Sequence, residues 1–350
     1  MEIRFYTRDM DFIGLMENQS SFTWTRKYFE PGKIQLFCPI TQENLKLTER
    51  GNLIYMRGCN ECAVVEDRTV EQNVYRNQIE VNGRFISSYL DRRLIRPTFS
   101  FSGKTEVAMR RLITDLAVAI PRLVLGDLQG FPETVTFQAT YKNLLEYTSK
   151  LSRSSGIGFR VRPDFNAKQL IFETYKGINR SFGQYVNPRV IFSEDYDNLQ
   201  SMTYRENEQL MKNVVYIGGT GQSDERIYVS YGDATGLDRR ELFVDARDLI
   251  QGDEETLANY QARLLQRGHE RQEQYYQLST TVESEADPDG NFVYKRNYDL
   301  GDIVTVRKRA WGIQTDLRIT EIQEIYERGT MKVSPTFGVP LPETIKWEDD

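Results

Sequence analysis

Three cysteines and a single histidine are the first residues to weigh for chemistry. Cys59 and Cys62 stand at the C-x-x-C spacing that can hold zinc or run a thiol–disulfide couple. A structural zinc site needs four ligands. Cys38 would be the third, and the fourth would have to be His269, far along the chain and flanked by Glu270 and Arg271. A redox pair is expected beside a βαβ pattern, and Met56-Arg57-Gly58 reads as a turn. The cysteines therefore read as thiols in a turn and a strand, and His269 as an exposed helix residue. Gly103-Lys104-Thr105 resembles the end of a phosphate loop, but Thr98 stands where that pattern needs its first glycine. The segment reads instead as a helix entry capped by Ser102 or Thr105. Gly218-Gly219-Thr220-Gly221 lies between two strand-like runs and reads as a hairpin turn. The pairs Glu206/Glu208 and Asp195/Asp197 could serve glycoside hydrolysis only if held a few ångströms apart across a sugar. Near neighbours in sequence do not establish that, and solvated surface charges are the plainer reading. No catalytic, cofactor or metal constellation emerges.

Composition narrows the classes further. The 350 residues suit two or three domains. The hydrophobic share of 39% is below the globular norm, while tyrosine and phenylalanine are abundant, which favours half-buried strands. The net charge of −6 gives no basic footprint for duplex nucleic acid and fits ordinary solubility. No run approaches the length of an apolar membrane span. The opening MEIRFYTRDMDF lacks the apolar core of a signal peptide, so synthesis and folding in a reducing cytoplasm are expected. On that expectation the sequons at Asn18 and Asn179 are chance matches.

Periodicity divides the chain in three. Residues 1–98 read as β: Phe22 and Trp24 alternate with Thr23 and Thr25, and after Pro31-Gly32 so do Ile34, Leu36 and Cys38 with their neighbours. Further short strands fall at Ile3 and Phe5, Leu53–Tyr55, Ala63–Val65 and Gln78–Val81. Residues 99–195 read as an α/β unit. One helix carries Met109, Leu112, Ile113, Leu116 and Ile120 up to Pro121; a second carries Leu144, Tyr147 and Leu151 up to Gly156. Strands Ile157–Arg162 and Gln169–Glu173 follow. Residues 196–350 return to β around a long helix at about 254–277, then runs at Leu278–Glu283, Tyr294–Asp299, Asp302–Lys308, Leu317–Tyr326 and Thr330–Val333, and an exposed Lys346–Asp350 tail. The expected fold class is α+β, mostly β. Trp24, Arg26, Tyr28, Arg84 and Arg93 are candidates for an interface, since Trp, Tyr and Arg are enriched there, although such residues also fill cores. Between Tyr294–Asp299 and Ile303–Val306, Gly301 is expected to take a conformation closed to other residues, with Asp299 and Asp302 bonding nearby amides.

The order of several segments resembles a siphovirus tail-hub family. They are Ser21–Pro39, Val81-x-Gly83-Arg84 running into Leu90-x-x-Arg93, and the helix-to-strand step from Leu144 to Val161. Asp299–Val304, Arg318–Ile322 and Pro335–Gly338 complete the set. The resemblance covers about residues 1 to 340. It implies a non-enzymatic baseplate or tail-tip hub with two tube-type β-barrel or sandwich domains, an α/β insert and a long helix. It further implies a trimer forming a pseudo-sixfold ring around a channel through which phage DNA passes without sequence-specific binding. Implied partners are other copies of itself, distal tail or tube proteins, the tape-measure protein and tip or fibre proteins. The implied place is the virion tail tip. Many relatives carry a C-terminal hydrolase or fibre, and none is expected here because the chain stops at Asp350. Hubs of the same type occur in contractile phage-tail-like particles, an alternative the residues leave open. A cell-wall hydrolase and a carbohydrate-binding module are the rival classes.

Overall fold

Strand patterning in the N-terminal region is set by alternation. In Lys33–Cys38 the side chains of Ile34, Leu36 and Cys38 are buried while Lys33 and Gln35 face solvent. The computed structural model describes residues 1–193, 196, 198–221, 226–275, 279–286, 291–327 and 329–338. A four-stranded sheet, in the order Phe12–Met16, Ile3–Tyr6, Leu53–Met56, Ala63–Val64, packs on strands Ser21–Lys27, Lys33–Cys38 and Asn77–Arg84. Phe5, Ile54, Trp24, Leu36 and Val81 meet in the sandwich between them.

Those last three strands belong to a ten-stranded sheet that continues into the C-terminal region. Strand Ser21–Lys27 pairs antiparallel with Ile313–Glu327, Ser21 opposite Glu327 and Lys27 opposite Glu321. Beyond it lie Thr330–Gly338, Ser279–Ala286 and Leu199–Asn207. The first half of Ile313–Glu327 turns instead to Ile303–Lys308, which also takes Ile191–Ser193 in parallel. A second core gathers there, with Phe192, Val282, Val304, Ile319, Ile322 and Phe337. The first and last thirds of the chain thus share one sheet. The fold is α+β and mostly β.

Residues 99–175 form the α/β unit. The hairpin-like pair Phe99–Lys104 and Thr134–Ala139, the sheet Leu123–Leu125, Gln169–Tyr175, Gly158–Asp164, and helices Thr105–Thr114 and Leu144–Ser155 enclose a core including Met109, Phe137, Leu151 and Phe172. Asn143 caps the second helix by accepting the Glu146 N–H, and Gly156 ends it with a left-handed φ of +68°. A smaller unit packs helix Leu257–Tyr275 on the sheet Tyr228–Tyr231, Val214–Gly218, Glu241–Asp245 through Ile217, Val244, Tyr260 and Leu264.

Several expectations need correction. The first helix ends at Thr114, where Asp115 draws in the Arg111 guanidinium at 2.7 Å; Leu116 to Ile120 are not helical. Neither Ser102 nor Thr105 caps it: Ser102 bonds Thr136, and Thr105 is its first residue, its N–H donating to the Glu133 carbonyl. The long helix begins at Leu257 rather than Glu254, and its expected end at Gln277 lies outside the described residues, as does Leu278. Tyr294–Asp299 is a turn, with an isolated bridge from Tyr294 to Tyr298. Phe12–Met16, Asp67–Gln72 and Thr134–Ala139 are further strands; in the last, Val135, Phe137 and Ala139 alternate with Thr134, Thr136 and Gln138.

The α/β unit contains a fully buried carboxylate that, among the described residues, has no ion-pair partner. Glu106 accepts N–H bonds from Gln129 (2.7 Å), Gly130 (2.7 Å) and Phe131 (3.1 Å), and the Thr174 hydroxyl at 2.8 Å. Burial pushes its pKa up, but these bonds outweigh that and hold it below the ordinary carboxylate range. Glu106→Gln is expected to lower stability by about 1–3 kcal/mol at neutral pH. A depressed folded-state pKa means the stabilisation is present above the ordinary carboxylate pKa and lost as pH falls through the folded value. Denaturant melts of both proteins at neutral pH and at about pH 3 should show the gap closing in acid; an unchanged gap would refute the assignment.

Candidate functional site

Strand parity places the most consequential side chains. Phe22, Trp24 and Arg26 point to one face of Ser21–Lys27, and Tyr28 continues the series. That face is the core face, so all four are buried, Arg26 with 3% of its surface exposed. Its guanidinium bonds Glu61 at 3.0 Å, the Tyr294 hydroxyl at 2.9 Å and Asp299 at 2.6 Å. Burial alone would lower the Arg26 pKa; Glu61, Tyr294 and Asp299 overcome it and hold the pKa well above the usual value. The Tyr294 hydroxyl donates in turn to Glu324 (3.0 Å), which Lys295 approaches at 3.2 Å and Tyr326 bonds at 2.6 Å.

Next to this cluster lies the turn 299–302. Gly301 has φ +94°, and a Cβ there would stand 2.3 Å from the Tyr28 ring. The Tyr28 hydroxyl reaches the carbonyls of Gly156 (3.0 Å) and Tyr175 (3.2 Å), tying the turn to the α/β unit. Asp302, 4% exposed, accepts the N–H of Ile178 (2.6 Å) and of Asp299 (3.1 Å) and the Arg180 guanidinium (2.9 Å). Asp299 accepts its neighbour's N–H, from Leu300, at 2.7 Å besides holding Arg26. Ile319 bonds both sides of the turn: its carbonyl accepts the Gly301 N–H and its N–H donates to the Asp302 carbonyl, each 2.8 Å.

The interface candidates divide accordingly. Trp24, Arg26 and Tyr28 are interior residues and present no surface to a partner, a correction that follows from their shared parity with Phe22. Arg84 is partly exposed and forks onto Glu66 (2.8 and 3.0 Å) and Asp91 (3.1 Å); Arg93 chelates the carbonyls of Val118 and Ala119. Residues that sequence reading passed over are the exposed tips. Val74 and Tyr75 each show 94% of their surface at the end of the hairpin Asp67–Arg84, and Tyr185 and Val186 show 89% and 90%. The second tip is braced, since Gln184 accepts the N–H of Val186 and Asn187, and Arg189 stacks on Phe182 and Tyr185. The available signal was an aromatic beside valine next to turn-forming residues, Asn73 and Asn77 around the first pair and Asn187-Pro188 after the second.

The chemical candidates do not converge. Burial raises the Cys38 and Cys59 thiols to about 11 and raises Cys62 too, which disfavours the thiolate a metal or redox site needs. His269 stacks on Tyr231 at 4.1 Å. Glu208 pairs with Arg240 (2.9 Å), and Glu206 accepts the Tyr204 hydroxyl (2.6 Å), both on the exterior. Asp195 and Asp197 lie outside the described residues, as does the Lys346–Asp350 tail. Thr220, in the glycine-rich turn, bonds the Tyr260 hydroxyl at 2.8 Å through its N–H, so that turn anchors the long helix. Among the described residues no three potential metal ligands cluster, and no helix is long and apolar enough to cross a membrane.

This arrangement of shared sheet, α/β unit and small helical unit is the fold of phage tail proteins. Prophage tail protein gp18 from Listeria monocytogenes aligns over 97% of this chain and 95% of its own, at 15% identity and TM-score 0.57. The tail protein from Neisseria meningitidis aligns over 97% and 96%, at 13% identity and TM-score 0.60. The 43 kDa tail protein of prophage MuSo2 from Shewanella oneidensis aligns over 96% and 98%, at 13% identity and TM-score 0.57. At these identities the likeness is one of fold. No curated protein matches the sequence. The family model for the siphovirus ReqiPepy6 Gp37-like protein matches residues 2–339, and the chain belongs to that family.

Gly301→Val combines a disfavoured φ with a clash against a buried ring, and is expected to cost about 2–4 kcal/mol. Glu206→Gln and Glu208→Gln should leave melting and particle assembly intact. A Gly301→Val protein with normal melting and normal assembly would sink this account of the turn.

Proposed function

We propose that the chain is a structural hub of the phage tail tip, assembling as a trimer whose pseudo-sixfold ring joins the tail tube or distal tail to the tip and surrounds the channel for DNA. The observation that carries this reading is the strand Ile313–Glu327, which joins two β-rich regions with separate cores into one subunit. Three such subunits would offer six β units to a hexameric neighbour. The family and the fold shared with phage tail proteins support the same reading. Its partners would be other copies of the chain, distal tail or tube proteins, the tape-measure protein, and tip or fibre proteins. The tips at Val74-Tyr75 and Tyr185-Val186 are the contacts we assign to those neighbours, since paired exposed apolar side chains on a braced loop are suited to burial against a partner. DNA would pass without sequence-specific contact, past a chain of net charge −6. The protein would be made in the host cytoplasm, act in the virion, and carry no enzymatic activity.

Native mass measurement of the purified protein, alone and with its tail neighbours, should give a trimer, either alone or once those neighbours are present, and the subunit interfaces in the particle should bury well over about 1,000 Å². A ring of six identical copies, or a closed monomer within the particle, would overturn the proposal.

A zymogram of the isolated chain on peptidoglycan should show no clearing. Clearing that a single carboxylate substitution abolishes would establish a hydrolase instead.

A further inference from the structure

Where the N-terminal sandwich meets the α/β unit, a cleft of about 290 Å³ is lined by Arg8, Arg92, Arg93 and Arg122, with Asp9 the one carboxylate. Asp9 holds Arg122 at 2.9 Å. Arg93 is committed to the Val118 and Ala119 carbonyls. Arg8 donates to the Arg50 carbonyl at 3.2 Å and lies across Gly51, where a Cβ would come within 1.8 Å of its Nε. Arg92 stacks on the Tyr89 ring at 4.1 Å. Among the described residues no carboxylate pairs with Arg8 or Arg92. Both side chains are therefore held in place by neutral groups and keep their charge uncompensated.

Of the remaining lining residues, Met10, Leu53, Ile120 and Leu170 are apolar and largely buried beneath the cleft. Two lining residues, Met10 and Arg122, hold a left-handed backbone at φ +66°, a conformation that costs a side-chain-bearing residue energy and that clusters at functional sites.

We propose that this cleft binds an acidic peptide segment of another protein in the particle, its carboxylates on Arg8 and Arg92 and an adjacent apolar side chain on the Met10–Leu170 floor. Guanidinium forks match carboxylates in geometry, and the low-polarity floor strengthens the pairing. Inorganic phosphate would leave that floor uncovered. A nucleic acid calls for a basic stripe along a surface, whereas here the arginines converge on one cavity in a chain of net charge −6. The inference concerns the single chain and does not rest on the trimeric hub reading.

The test is a fluorescence-anisotropy titration of the full chain with a labelled, end-blocked peptide Gly-Leu-Glu-Asp-Glu-Gly, a sequence absent from the chain itself. Saturable binding that weakens with salt is expected, with none to the same peptide carrying Gln and Asn for Glu and Asp. Arg8→Ala with Arg92→Ala should weaken binding about tenfold or more while melting as the parent does. Arg8→Lys with Arg92→Lys, which keeps the charge, should bind better than the alanine pair. Absence of saturable binding, equal binding of the neutral peptide, or unchanged affinity in the alanine pair would overturn the proposal. So would displacement of the peptide by sodium phosphate or a poly-dT oligonucleotide at equal molar concentration.

Discussion

Arg26 stands on the core face of its strand, at a position where alternation calls for an apolar residue. Taking an ion out of water costs several kcal/mol unless its partners are well placed. The partners here come from separate parts of the chain: Glu61 from the loop before Ala63–Val64, and Tyr294 and Asp299 from the turn before Ile303–Lys308. Glu324, reached through Tyr294 and Lys295, brings in the strand Ile313–Glu327. A shift of any of these segments would leave a buried charge facing apolar atoms, so the cluster favours one mutual arrangement of N- and C-terminal regions. Hydrophobic packing alone would tolerate more, because burial of apolar area has no direction.

The strand that answers this cluster also divides the molecule. The first half of Ile313–Glu327 pairs with Ile303–Lys308 and the second with Ser21–Lys27, with an irregularity in register between Ile319 and Glu321. An extra residue in a strand bends it and raises its twist. Thr320 is that residue, and its carbonyl accepts the Tyr28 N–H at 2.9 Å. Directly across lie Gly301 and the Tyr28 ring, packed too closely for any side chain between them. The change of partner, the left-handed glycine and the bonds of Tyr28 to the Gly156 and Tyr175 carbonyls are thus one device, by which both β regions and the α/β unit meet.

Local features of this device were legible in the sequence, while its pairings were not. Alternation from Ile34 to Cys38, the end of the second helix at Gly156, and the left-handed glycine at position 301 all arise from geometry within a few residues. The partner of Ser21–Lys27 lies some three hundred residues on, and no local period encodes it. Tyr294–Asp299 reads as a strand because its tyrosines suit pleated surfaces, yet Tyr294 is drawn into the Arg26 cluster and the backbone turns to deliver it. The helix after Thr105 stops early because Asp115 closes its end, although the apolar spacing runs on to Ile120. By residue type Trp24, Arg26 and Tyr28 suit an interface and a core alike. Parity with Phe22 was the better guide, and the buried arginine is the case that residue-type statistics handle worst.

The same contrast bears on what kind of site the molecule can hold. Glu106, Asp302 and Arg26 are buried and perturbed or heavily bonded, features that also mark catalytic groups. Each is closed by neighbours of its own chain: three amides and a hydroxyl around Glu106, two amides and a guanidinium around Asp302, two carboxylates and a phenol around Arg26. A reacting group needs an open position toward substrate, and these have their bonding capacity turned inward. Arg8 and Arg92 differ, because they are exposed, ordered by neutral contacts and open on one side. A guanidinium stays protonated and supplies no base or nucleophile, so what it can do from such a position is hold an anion. Recognition is the chemistry that Arg8 and Arg92 can do there, placed where the N-terminal sandwich and the α/β unit meet and so sensitive to how those two parts are joined.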